Sequence, residues 1–232
     1  MKKDFYDKKF YTISNYIFGF IQSSLYFCIC NILLILFFIF TTIYPSQFNL
    51  LILFICLIPL GPSLGALYST IGKIISEKDI YFSSFFWNLY KKNFVSNLKL
   101  WIIQLVILTI LFMDFQYFYL NVPEKSIHML FIILIVIALL ISLYSFPINS
   151  RFEIKLKDLF ILSIYYMIKK FPITILKAFV IFLAYYLSNN VSITFLIFMP
   201  SILSLIFFYY DKHIFFEIEK KFISSSETKQ FF

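Results

Sequence analysis

Six apolar runs dominate this chain of 232 residues, lying at about 24–43, 49–71, 99–120, 127–147, 173–189 and 192–210. Each is close to the ~20 residues a helix needs to cross ~30 Å of hydrocarbon. With 61% hydrophobic residues and only 14% charged, the chain has too few charges to cover a water-facing globule. It reads as a single all-α integral membrane domain, 1–232. The breaks after the first, third and fifth runs are only a few residues long, at 44–47, 121–125 and 188–190. The six transmembrane helices are therefore expected to pair as three helical hairpins.

Basic residues near span ends set the orientation. Every lysine and the lone Arg151 fall at the N-terminus, in the connections around 72–99 and 148–177, or in the tail, except Lys125. Both termini and both long connections are expected in the cytoplasm, with the short turns outside. A net charge of +8 could point to nucleic acid, but here the charges flank apolar spans, so the counter-charge expected is anionic lipid headgroups. Cys28, Cys30 and Cys56 lie in or beside apolar runs as small hydrophobes, with no disulfide or metal pattern. The first residues carry two acids and no small-residue cleavage site, so no removable signal peptide is expected.

The two long connections resemble one another. Lys78-Asp79, an aromatic stretch, Lys91-Lys92 and Lys99 in the first are echoed by Lys157-Asp158, an aromatic stretch, Lys169-Lys170 and Lys177 in the second. The shared order predicts a parallel repeat, with Asp7-Lys8-Lys9 as a degraded third copy. Phe82, Phe85, Phe86 and Leu89 share one helical face, opposite Ser84, Asn88, Lys91 and Lys92. This pattern predicts amphipathic interfacial helices at about 5–22, 79–98 and 156–171. Phe86, Trp87, Lys91, Lys92 and Asn93 belong to a segment that either seats in the headgroups or receives a partner protein.

The run Gly61-Pro62-Ser63-Leu64-Gly65-Ala66-Leu67, with Pro59 before it, should kink or break the second span, because Pro62 removes a backbone donor and leaves a carbonyl seeking a partner. Gly61 and Gly65, four apart, form a small-residue face suited to close helix packing, while a broken helix is also a candidate substrate or ion site. Asn31, Gln104 and Asp114 are the polar candidates within spans. Asp114 is the one carboxylate expected inside a span, either paired with a neighbouring helix or active in transport. No nucleotide loop, metal pattern or hydrolase motif occurs, and His128 and His213 are expected on opposite sides of the membrane. Neither an enzyme nor a cofactor is expected.

Asn31, the Gly61–Leu67 run, the stretch Phe86-Trp87-Asn88-Leu89-Tyr90-Lys91-Lys92-Asn93-Phe94, and Asp114 together resemble the YesL family of bacterial membrane proteins, a domain of unknown function. The resemblance covers about residues 10–120. It implies a Gram-positive-type cytoplasmic membrane protein that assists an ATP-driven carbohydrate importer, with the permease and ATPase subunits as partners. The Glu-Ala-Ala coupling loop of importer permeases is missing, so the chain is expected to accompany a permease rather than be one. An independent small-solute carrier or channel is the competing expectation.

Overall fold

The described residues are helical apart from short connections. A computed structural model describes residues 2–76, 82–121, 126–190 and 193–229, with side chains at 14–75, 84–121, 126–188 and 197–220. Its helices are α1 (Lys2–Cys30), α2 (Ile32–Ile43), α3 (Leu50–Leu57), α4 (Leu60–Ser76), α5 (Phe82–Lys92), α6 (Phe94–Asn121), α7 (Ile127–Arg151), α8 (Leu156–Lys169), α9 (Phe171–Asn190) and α10 (Ile193–Lys229), with a 3₁₀ turn at Pro45–Gln47.

Four stretches are long and apolar enough to cross a membrane: Leu50–Ile75, Phe94–Asn121, Ile127–Arg151 and Phe171–Ser188. A fifth is added if Ser14–Cys30 and Ile32–Ile43, bent by 66° at their junction, form one broken span. These helices leave large apolar side chains exposed, as at Ile133 and Phe182. Water would not tolerate so much of that surface, and the chain is a multi-pass membrane protein. The expected run at 192–210 begins outside the described residues and continues as the first part of α10. The turn residues 122–125 and the Lys78–Tyr81 end of the repeat likewise lie outside the described residues.

Three helix junctions consist of a single residue, at Asn31, Asn93 and Lys170. The last has a clear local cause. Pro172 offers no N–H to the carbonyl four residues back, and the chain turns one residue before α9. Thr174 then straps the junction, its hydroxyl donating to Met167 O at 2.9 Å. At Asn31 no proline is involved. Its side-chain amide donates to Phe27 O at 2.8 Å, competing with the backbone ladder where the helix bends. The expected separate interfacial helix at 5–22 is not set off from the first span, since α1 runs unbroken through that boundary and bends later, at Asn31.

α4 is the hub, packing against α1, α5, α6, α7 and α10. Two apolar clusters flank it. The larger joins Tyr68 to Leu100, Trp101, Tyr144, Leu159, Tyr166 and residues of α10, and the smaller gathers Ala66, Leu67, Ile71 and Phe86. α6 packs along α7, α9 against α10, and α2 against α3. By contrast, α2 buries only Phe37. Beyond its contacts with α1 and α3 it exposes large apolar side chains, among them Ile32, Leu33, Leu36 and Ile39.

Beyond the bundle, Glu217 on α10 accepts from Lys169 Nζ at 2.6 Å and lies 2.8 Å from Lys170 Nζ. The Lys169 hydrogen bond, then that of Lys170, holds its carboxyl down to about 2, against an ordinary value of 4.5. Because the folded value is the lower one, the contribution to stability is full above the ordinary value and is lost as the pH falls toward the folded one. Carbon-13 NMR should find Glu217 ionised at pH 3.5, and Lys169→Met/Lys170→Met should raise its titration midpoint by at least about one unit.

Candidate functional site

Polar side chains in the bundle are gathered around α4. Asn31 Nδ2 donates to Ser63 Oγ at 2.7 Å, and Ser63 in turn donates to Leu60 O at 2.9 Å. Asn31 thus ties the bend of α1/α2 to the start of α4. The proline-rich stretch interrupts the second span between Leu57 and Leu60, and Pro62 falls in the first turn of α4, where a missing N–H does least harm. The Leu57 carbonyl, left without its intrahelical donor, accepts from Trp101 Nε1 on α6 at 2.8 Å. Asn31→Leu should lower stability by about 0.6–2 kcal/mol, the range for an interhelical hydrogen bond in a membrane protein. Unfolding in graded dodecyl sulfate would measure it, and an unchanged midpoint would show that the Ser63 bond contributes nothing.

The glycines explain how α6 approaches so closely. A Cβ on Gly61 would lie 2.8 Å from Trp101 Cδ1 and nearer still to its Cβ and Cγ. A Cβ on Gly65 would meet the Asn97 amide, 2.5 Å from its Oδ1. Asn97 is fully buried and accepts from Asn149 Nδ2 of α7 at 2.7 Å. Ser96 donates to Asn149 Oδ1 at 3.2 Å. One step along, Ser69 Oγ of α4 donates to Ser150 O at 3.0 Å. The Gly61–Gly65 face therefore brings α4, α6 and α7 together through a chain of hydrogen bonds.

A second cluster joins α9 to α10. Lys177, a headgroup-facing charge by its sequence position, is fully buried on α9, and its Nζ lies 2.7 Å from Asp211 Oδ1 on α10. Asp211, not Asp114, is therefore the deeply buried carboxylate among the described residues. Lys177 Nζ also donates to Leu143 O at 3.2 Å and sits 3.8 Å from the centre of the Tyr144 ring. Leu143 O is available because Pro147, inside α7, lacks the N–H that would otherwise occupy it. The ammonium's three protons thus face a carboxylate, a carbonyl and an aromatic face. The Tyr144 hydroxyl is 2.7 Å from Thr174 Oγ1. Asp211 Oδ2 has no hydrogen-bond partner among the described residues.

The other candidates are dispersed. Gln104 is buried on α6, with neither amide atom partnered among the described residues. Asp114 is half-buried toward the far end of α6, with no hydrogen bond or ion pair among the described residues. Phe86 is fully buried against α4 and α1, with Trp87 packed beside it and the Tyr26 ring 5.5 Å away. The apolar face of α5 is thus turned onto the protein's own helices, because Ala66, Leu67 and Ile71 leave an apolar seat there. Lys91 and Lys92 are exposed, and Lys92 lies 3.8 Å from Glu153 with both side chains largely in solvent, an arrangement of small energetic weight. Asn93 is the junction residue before α6. No three His, Cys, Asp or Glu side chains converge on a possible metal position among the described residues.

The signal for the missed pair was Lys177 itself, flanked by Ile175-Leu176 and Ala178-Phe179 about 9 Å into α9 at 1.5 Å per residue. Its partner is 34 residues later in sequence, and nothing local joins them.

Residues 27–115 are similar to the family described as "Protein of unknown function, DUF624", a match to less than half of the chain. It covers Asn31, the α4 glycines, α5, Asn97 and Asp114, and stops before Asn149, Lys177 and Asp211. No curated protein and no solved structure matches.

Proposed function

We propose that this chain is a non-catalytic accessory subunit of the bacterial cytoplasmic membrane that packs against the permease and ATPase subunits of an ATP-driven carbohydrate importer. The supporting observation is α8. Its inner face, Leu159, Ser163 and Tyr166, is buried on the bundle, while Ile161, Ile164, Tyr165 and Ile168 form an exposed apolar stripe at helical spacing on the other side. A helix pinned on one face and apolar on the other is a ready seat for a neighbouring subunit. The sequence resemblance supplies the partner class. In this reading six spans form three hairpins: α1/α2 with α3/α4, α6 with α7, and α9 with the first part of α10. The termini, α5 and α8 lie on the cytoplasmic side, following the lysine distribution.

A photo-crosslinking residue at Ile161 or Ile168 should capture permease or ATPase subunits in native membranes, and mild-detergent purification should retain them. Repeated recovery of the chain alone, with sugar uptake unaffected by its deletion, would end this proposal. A small-solute carrier is the second reading, favoured by the Lys177–Asp211 pair between α9 and α10, since intramembrane charges often mark substrate or proton paths. Proteoliposomes that move no sugar, ion or peptide under any imposed gradient would count against it.

A further inference from the structure

We propose that water enters the bundle through a cavity between α4, α5, α7 and α10 and hydrogen-bonds the free oxygen of Asp211, so that the buried ion pair meets solution from one side of the membrane only. The cavity is about 240 Å³, room for several waters. Its lining includes Lys73, in the last turn of α4, and Arg151, which ends α7. Two candidate spans, Leu50–Ile75 and Ile127–Arg151, thus finish beside it, which places its mouth at that end of the bundle. In the carrier reading this is the path by which a proton reaches the pair. The water path itself holds whether or not the chain carries anything.

Asp211 lies behind the inner wall of this cavity. Ser204, Phe208, Asp211 and Phe215 are spaced four, three and four residues apart and share one face of α10. Phe208 and Phe215 both line the cavity. Their backbones are about 10 Å apart along the helix, yet their ring centres are only 5.7 Å apart. The two rings therefore lean together over the turn that carries Asp211. From α4, Tyr68 also lines the cavity, and its hydroxyl faces Ser204 and lies within reach of the Asp211 charge. Lys177 engages Oδ1, and Oδ2 has no hydrogen-bond partner among the described residues. A carboxylate oxygen stranded in this way is costly, and a water shared with the Tyr68 and Ser204 hydroxyls satisfies it while finding the two to four polar partners that a buried water needs. One such water leaves the pair dependent on Lys177, because the surrounding helices still exclude bulk solvent.

The test uses the full chain in sealed, oriented vesicles, in a background of Cys28→Ala, Cys30→Ala and Cys56→Ala. A thiol reacts as its thiolate, which forms only where water reaches it. Asp211→Cys, combined with Lys177→Met so that no charge is stranded, is exposed to a charged, membrane-impermeant methanethiosulfonate. It should react at least about tenfold faster than Ser163→Cys, a fully buried site away from the cavity, and from one face of the vesicle only. Phe208→Ala should raise that rate at least about threefold by parting the two rings. If the double variant fails to fold, Ser204→Cys, which leaves the ion pair intact, is read in the same way and decides the matter. Reaction no faster than at Ser163→Cys, equal reaction from both faces, or a rate indifferent to Phe208→Ala overturns the proposal. Proteoliposomes that transport nothing would end the carrier reading and leave this result standing.

Discussion

Lys177→Met should destabilise the protein by about 3–5 kcal/mol, as should Asp211→Leu, because each leaves the other charge buried without its counter-ion. At 2.7 Å and with both side chains almost wholly out of solvent, neither partner can relax into water. The double variant Lys177→Met/Asp211→Leu should recover most of the loss, since the two desolvation penalties vanish together. A residue of about 1–3 kcal/mol should remain, because Leu143 O then has no donor. That residue has its own test. Pro147→Ala in the double-variant background restores an N–H four residues after Leu143 and should regain part of the stability. Unfolding in graded dodecyl sulfate, followed by circular dichroism, gives each value. If the two single losses simply add in the double variant, the pair is not coupled and the account given for Lys177 is wrong.

Gly65→Ala should cost about 2–4 kcal/mol, combining overpacking with damage to a buried hydrogen bond. One methyl group is a small change, yet it would strike the Asn97 amide, a side-chain tip that is fully buried and held by a hydrogen bond. Asn97 cannot step aside without losing Asn149 Nδ2, and Asn149 also engages Ser96. Asn97→Ala should make room for the methyl group. The Gly65→Ala/Asn97→Ala protein should therefore be more stable than the sum of the single losses allows, by about 1 kcal/mol or more. Simple additivity would mean that Gly65 is small for some reason other than Asn97.

These two expectations differ in how far they could be seen in advance. Gly61 and Gly65 announced a close approach by their spacing, and Pro59 with Pro62 announced a broken helix with a carbonyl to satisfy, because backbone rules act over four residues. Which helix approaches, and that Trp101 and Asn97 meet the two glycines, depends on long-range packing. Lys177 shows the limit more sharply. It occupies the same place in the second repeat that Lys99 occupies in the first, yet Lys99 is exposed and Lys177 is fully buried. The difference is Asp211 on α10 and the carbonyl released by Pro147 on α7, and neither lies within a turn of Lys177 in sequence. α5 behaves similarly. Its aromatic face was evident from helical spacing, but only the packed structure shows that Phe86 fills a seat on α4 and leaves the outward apolar stripe to α8.

Hydropathy and helical period alone made this an all-helical membrane chain with two lysine-flanked connecting helices, because those properties follow from interactions among residues a few positions apart and from the solvent each side chain must meet. Tertiary packing decided the rest: the 66° bend at Asn31, the hub position of α4, and the conversion of Lys177 from a surface charge to a buried ion pair. A charge is tolerated in hydrocarbon only where other helices bring it a counter-ion and an acceptor, and residues distant in sequence supply both.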